Sequence, residues 1–335
     1  MTPSRTAVAI ALLLAALATA GCGLGPGEEV GEAGLTVTRD HGAEPVAGPL
    51  TDGVAESDTV MRMLERNAEI ETRYGGGFVQ AIDGLSADRG DGGPRDWFFY
   101  VNGVESPVGA ADFKLSGGEA IWWDHRRWST APRVPAVVGS WPQPFRDGYE
   151  GERRPVEVEC RGGGAACAEV WERLRAIGAP LTPADGSRTP DAATGSARRP
   201  GGQAIRVLVG PWSRLRSDPT AAGIEAGPQV SGVFAAFAPS TASAVPFPPI
   251  AGERNSGSFR LRGLGADGGV VRAFGPGAGL VAATRRNEAP PVWIVTGLSA
   301  VGVRAAAGLL DAASLRDHYA VATEGGAEFS LPIGD

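Results

Sequence analysis

The chain is predicted to be an α+β protein of two units: an N-terminal domain over 34–128, and a separate α/β layered domain over 155–323. Three observations carry this. Strand-like alternation, one amphipathic helical stretch and then a run of strand candidates fill the first unit. Strand and helix patterns alternate in the second. Between them, 129–154 has little periodicity and carries Pro132, Pro135, Pro142 and Pro144, as a semi-rigid linker or a wrapping segment would.

The elements follow in order. Leu35 to Arg39 alternates as a strand does. Ser57 is placed to cap a helix running to Ala68, with Val60, Met61 and Leu64 on one face. Phe78 to Ile82 and Trp97 to Val101 are strand candidates. Asn102-Gly103 is a preferred two-residue hairpin pair, so Val104 to Val108 should return beside the second. Gly117-Gly118 turns the chain into a strand from Glu119 to Trp123. In the second unit Val156 to Cys160 reads as a strand and Cys167 to Ile177 as a helix. Pro180 to Gly202 reads as a loop, Ala204 to Val209 as a strand, and Phe259 to Phe274 as a hairpin. The apolar run Val292 to Val295 is of the buried-strand type, followed by a helical Val301 to Leu310 and a strand Tyr319 to Ala322. Residues 324–335 read as a tail.

The 335 residues include 50 Gly and 26 Pro, yet 43% are hydrophobic, which argues against a wholly disordered chain. A net charge of −7 disfavours a nucleic-acid-binding surface. At the start, one basic residue (Arg5), an uncharged apolar run from Ala7 to Ala18, and Thr19-Ala20-Gly21-Cys22 have the layout of a secretory leader over 1–21. Small residues before Cys22 resemble the lipobox of bacterial lipoproteins. That resemblance implies a lipidated Cys22 and an extracytoplasmic protein held to the cell membrane, with 22–33 as a flexible tether. Cys160 and Cys167 then remain as a candidate disulfide in an oxidising compartment, two buried thiols being the alternative.

Eight aromatic residues crowd into the stretch from Trp97 to Trp128. The run Trp97-Phe98-Phe99-Tyr100-Val101-Asn102-Gly103, then Val108-Gly109 ahead of Phe113, then Gly118-Glu119-Ala120-Ile121-Trp122-Trp123, resembles a bacterial family of uncharacterised domains. That family is similar to the C-terminal β-domain of transcobalamin and intrinsic factor. The resemblance implies a β-grasp-like fold and, as ligand, a corrinoid held on the Trp97–Tyr100 strand, with Trp97, Phe99 and Tyr100 as binding residues. Alternation places Trp97, Phe99 and Val101 on one face and Phe98 and Tyr100 on the other. One face must pack on the helix. The other is open to three readings: covered by the linker, in contact with the second unit, or a platform for a flat ligand.

Other constellations are weak. His41, His125 and His318 are far apart and read as surface or packed residues; no catalytic residue, metal site or cofactor is expected, and the chain is not read as an enzyme. Asp52, Glu56 and Asp58 fit no calcium-loop spacing. Gly297-x4-Gly302 lacks the Lys and Ser/Thr of a phosphate loop and reads as close packing. Arg126-Arg127 and the other Arg pairs read as solvated surface. The functional expectation is therefore a lipoprotein that binds a small ligand, a corrinoid by resemblance, and delivers it to a membrane transporter. The alternative is an envelope interaction or scaffolding protein without a ligand.

Overall fold

A computed structural model describes residues 27–90, 93–182, 203–239 and 259–334. The leader, Cys22, most of the loop expected over 180–202 and the stretch 240–258 lie outside the described residues. The fold is mixed α+β, rich in strands and built on several sheets.

The first unit holds a five-stranded mixed sheet. Strand β1 (Glu29–Arg39) forms a hairpin with β2 (Glu44–Ala55), followed by helix α1 (Val60–Asn67). A small sheet follows, of β3 (Ile70–Arg73), β4 (Phe78–Ile82) and β5 (Leu85–Ser86). Then come β6 (Arg95–Val101), β7 (Val104–Glu105) and β8 (Ala120–Arg127). The main sheet runs β2-β1-β8-β6-β7, with β1 and β8 parallel at its centre and every other pairing antiparallel. Asn102 and Gly103 take φ of 52° and 75°, the paired left-handed geometry that makes this dipeptide the hairpin turn after β6. Helix α1 is capped by Thr59, not Ser57: the Thr59 hydroxyl accepts the Arg62 N–H at 3.3 Å. Its buried Val60, Met61, Met63 and Leu64 meet Leu35, Val37, Trp97, Val101, Ile121 and Trp123 in one core. Each fully buried apolar side chain of this kind contributes about 1.5–3 kcal/mol.

Strand β1 starts at Glu29, inside the stretch expected as tether. Strand β2 was not foreseen because Pro45, Gly48, Pro49 and Gly53 erase alternation along an exposed sheet edge.

The second unit is a seven-stranded sheet with its two longer helices on one face. Its elements begin with β9 (Val156–Cys160), α2 (Ala165–Ala176), β10 (Leu181–Thr182), β11 (Ile205–Pro211), the short α3 (Trp212–Leu215) and α4 (Pro228–Ser231). A separate three-stranded sheet follows, of β12 (Ala235–Pro239), β13 (Phe259–Leu264) and β14 (Val270–Ala273). The chain closes with β15 (Gly279–Thr284), β16 (Val292–Gly297), α5 (Ala300–Gly308), α6 (Ala312–Leu315), β17 (Ala320–Glu324) and β18 (Ala327–Leu331). The order is β10-β9-β11-β16-β15-β17-β18, parallel up to β16 and antiparallel beyond. Residues 327–331, expected as a tail, thus form an edge strand.

Alternation along the central strands builds two cores. Val207, Val209, Val281, Trp293 and Val295 face α2 and α5. Where α5 crosses β15, a Cβ on Gly302 would collide with the Ala278 carbonyl, so the Gly297/Gly302 pair serves close packing. Leu208, Leu280, Ala282, Ile294 and Ala320 face the opposite way. There they meet Phe237 and Leu261 of the small sheet, and also Tyr100 and Trp122 of the first unit. The Pro-rich segment 129–154 wraps rather than spans: Ala131, Val134 and Val137 enter this joining core, while Trp141 and Phe145 pack on Trp293 in the other.

Candidate functional site

The Trp97–Tyr100 strand, whose outer face was open to three readings, has that face covered by the linker together with the second unit. Trp97 is 6% exposed, and its indole N–H donates to the Leu85 carbonyl at 3.0 Å. Phe99 is half-buried against Trp123, with ring centroids 4.9 Å apart. Tyr100 is fully buried on the other face, packed with Trp122 and Tyr319. The reason is the period of two in a strand: α1 covers one face, and the linker together with the second unit covers the other.

That second face carries a polar junction. Asp124 on β8 is fully buried and accepts four hydrogen bonds: Thr38 Oγ1 at 2.6 Å and the Gly42 N–H at 3.1 Å on Oδ1, Tyr319 OH at 2.9 Å and the His41 N–H at 3.1 Å on Oδ2. Three of these donors belong to the first unit and Tyr319 to the second. Burial raises the Asp124 carboxyl pKa, against hydrogen bonds from Thr38 and Tyr319 that lower it. The Trp122 indole N–H donates to Thr38 Oγ1 at 2.8 Å, and Tyr100 OH donates to Tyr319 OH at 3.3 Å. Arg126 is completely buried. Its guanidinium lies 3.7 Å over the Phe98 ring, donates to the Ala131 carbonyl at 2.7 Å and sits 4.0 Å from Glu105. Residues read from sequence as a solvated Arg pair therefore divide, Arg126 inward and Arg127 toward a cleft.

The cleft, about 420 Å³, lies beside this junction at the β1–β2 turn and takes walls from both units. Asp40, His41, Glu44, Arg95 and Arg127 come from the first; His318, Pro332 and Ile333 come from the second. The backbone is unusual here. Asp40, His41 and Asp317 all have positive φ, between 56° and 60°, conformations that cost about 1–3 kcal/mol each and persist only where the surroundings enforce them. Gly42 is needed at the contact: a Cβ there would collide with the Asp317 carbonyl oxygen.

His41 is buried edge-on against Phe234 and Tyr319, with Nε2 unpartnered. Burial, then the charges of Arg126, Arg95 and Arg127, hold its pKa well below the usual histidine value, so it is neutral at pH 7. Burial likewise lowers the pKa of His318, whose Nδ1 is unpartnered. Asp40 pairs with Arg95 and Glu44 with Arg39. Arg127 has no ion pair among the described residues, and its buried Nε has no partner.

His41 and His318 stand near opposite ends of the chain, so no spacing could show that they share a wall. Elsewhere, Cys160 and Cys167 are disulfide-bonded, joining the end of β9 to the first turn of α2. Asp52 and Asp58 are both held by Arg66, at 3.2 and 2.8 Å, as a surface ion network. Among the described residues no group of three or more His, Cys, Asp or Glu could hold a metal ion, and no helix is long and apolar enough to cross a membrane.

Residues 57–127 match the model of a domain of unknown function (DUF4430), which starts just before α1 and ends with β8. No curated protein matches the chain. Among solved structures, a candidate metal-binding protein from Ruminococcus gnavus is 17% identical, with a TM-score of 0.23, over 29% of this chain and 97% of that one. A likeness that low carries no argument about ligand. What the comparisons show is similarity to that unknown-function family over about a fifth of the chain.

Proposed function

We propose that the protein is an extracytoplasmic, lipid-anchored binding protein whose ligand sits in the cleft between its two units. The observation that carries this is the cleft itself: about 420 Å³, walled by both units, with strained backbone and unpartnered imidazole nitrogens. Small-molecule sites favour such inter-unit positions and volumes of about 300–1,000 Å³. The strand order β2-β1-β8-β6-β7, with a parallel central pair, supports reading the first unit as β-grasp-like. Because Trp97 and Tyr100 are buried, the ligand, a corrinoid or another small molecule, is placed in the cleft and not on the Trp97–Tyr100 strand.

Lipid on Cys22 remains the proposed anchor. Six residues lie between it and Glu29, so seven backbone steps give a reach of at most about 25 Å. The cleft lies at the far end of β1, about 33 Å from Glu29 at a strand's rise per residue. That separation favours capture on the side away from the membrane, with delivery to a transporter as the corresponding next step. The alternative, an envelope interaction protein, draws on Tyr74, 87% exposed beside Phe78 at the β3–β4 turn.

The test is native mass spectrometry of the protein purified from its own envelope, alongside an Ala266→Trp variant that fills the cleft. A small molecule bound to the natural protein and absent from the variant supports the reading. The same molecule on both, or none on either, overturns it.

A further inference from the structure

We infer that the hollow beside the β3–β4 turn is a second binding site, separate from the cleft, and that it takes a sugar ring of a neutral glycan. This does not depend on the cleft being a ligand site.

The turn itself is the first observation. Strands β3 and β4 pair Arg73 with Phe78, so Tyr74 to Gly77 make the connection. Tyr74 has a φ of 54°, and Gly75 and Gly76 continue at 73° and 94°. A left-handed backbone is an outlier for a bulky residue, and such residues cluster at ligand sites. Packing does not demand it here: among the described residues, a Cβ built on Gly75 or Gly76 would meet nothing within 4 Å. What the turn achieves is to hold a tyrosine ring 87% exposed. The Phe78 ring, 38% exposed, stands 6.2 Å from it at 72°, so the two rings form an open corner.

That corner borders a hollow of about 320 Å³, which Trp128 also lines. The lining is mixed, and the mixture selects the ligand. The C–H groups on the face of a pyranose ring carry slight positive charge and pack on the negative face of an aromatic ring. Tyr74 and Phe78 offer two such planes. A sugar hydroxyl both donates and accepts; in the hollow Gln80 does both, Asp88 accepts and Arg95 donates. The Gly90 N–H, 2.6 Å from Oδ1, orients the Asp88 carboxylate, and an ion pair with Asp40 holds Arg95. A hydrocarbon chain would desolvate these polar groups without pairing them, and an anion would face Asp88. A neutral ring with an apolar face and a hydroxyl edge matches both kinds of wall at once. Arg95 lines the cleft as well, so a test must tell the two sites apart.

Isothermal titration of the intact mature protein with maltotriose, cellotriose, mannotriose and chitotriose, each to about 10 mM, reads binding directly. At least one should bind. Tyr74→Ala should weaken it at least about tenfold and Tyr74→Trp should retain it, with thermal melting unchanged in both because the ring is exposed. Ala266→Trp, which fills the cleft, should bind the sugar as the natural protein does. Binding of none of these sugars, or unchanged binding by Tyr74→Ala, overturns the inference. So does a sugar lost with Ala266→Trp and kept with Tyr74→Ala, which would place it in the cleft and leave the cleft reading standing. A protein captured by a photo-crosslinker at position 74, with no trisaccharide bound, also overturns it.

Discussion

Replacing Asp124 with Asn tests the junction between the units. The change keeps size and shape, but one carboxylate oxygen becomes an NH2. Oδ1 receives Thr38 and Gly42; Oδ2 receives Tyr319 and His41. Whichever way the amide lies, two donors face its NH2. A hydroxyl can rotate and accept, but the backbone N–H of His41 or Gly42 cannot. One buried N–H is therefore orphaned, at about 1–3 kcal/mol, and the surviving bonds lose charge assistance worth about 1 kcal/mol. Buried Arg126 also loses a nearby negative charge. The expected loss is about 2–4 kcal/mol, read from urea unfolding followed by tryptophan fluorescence. Combined with Tyr319→Phe in a double-mutant cycle, it should show a coupling above about 0.5 kcal/mol, because the two side chains share a hydrogen bond across the units. A loss under about 0.5 kcal/mol with no coupling would mean that the junction does not hold the units together.

Other expectations concern single residues. Glu119 is 4% exposed, and burial pushes its pKa up to about 7 from an ordinary 4.5. A carboxyl that holds its proton more tightly when folded contributes stability that is full below 4.5 and lost as pH rises through about 7. Glu119→Gln should accordingly flatten the slope and stabilise the protein at pH 8 by about 1–3 kcal/mol, seen in urea midpoints at pH 5 and 8. Gly42→Ala places a Cβ against the Asp317 carbonyl at a φ of 85° and should cost about 2 kcal/mol or more in thermal melting. Cys160→Ser opens a disulfide of sequence separation 7 and should cost about 2–3 kcal/mol of unfolding free energy. Cys22→Ala should release the protein from salt-washed membranes; a variant that still pellets contradicts lipid anchoring.

The elements that could be read from sequence are those whose pattern is local. Strands β4, β9 and β16 and helices α2 and α5 lie within a few residues of where periodicity puts them, and Asn102-Gly103 turns as its composition requires. Strand β2 was hidden by its Pro and Gly residues on an exposed edge, and β18 by a composition that looks like a tail. The aromatic strand was found but its role was not, because alternation says which residues share a face and not what covers it. The cleft was illegible for a related reason. His41, Arg127 and His318 meet only through the docking of two units, and Arg126-Arg127 gave no sign that one side chain would be swallowed and the other left facing the cleft.

The most direct test follows the side-chain nitrogen resonances of the intact protein as ligand released from the envelope-purified material is titrated back. The account predicts that His41 and His318 shift, while the indole N–H of Trp97, tied to the Leu85 carbonyl beneath α1, stays in place. A shift at Trp97 with both histidines unmoved would return the site to the aromatic strand and contradict the account.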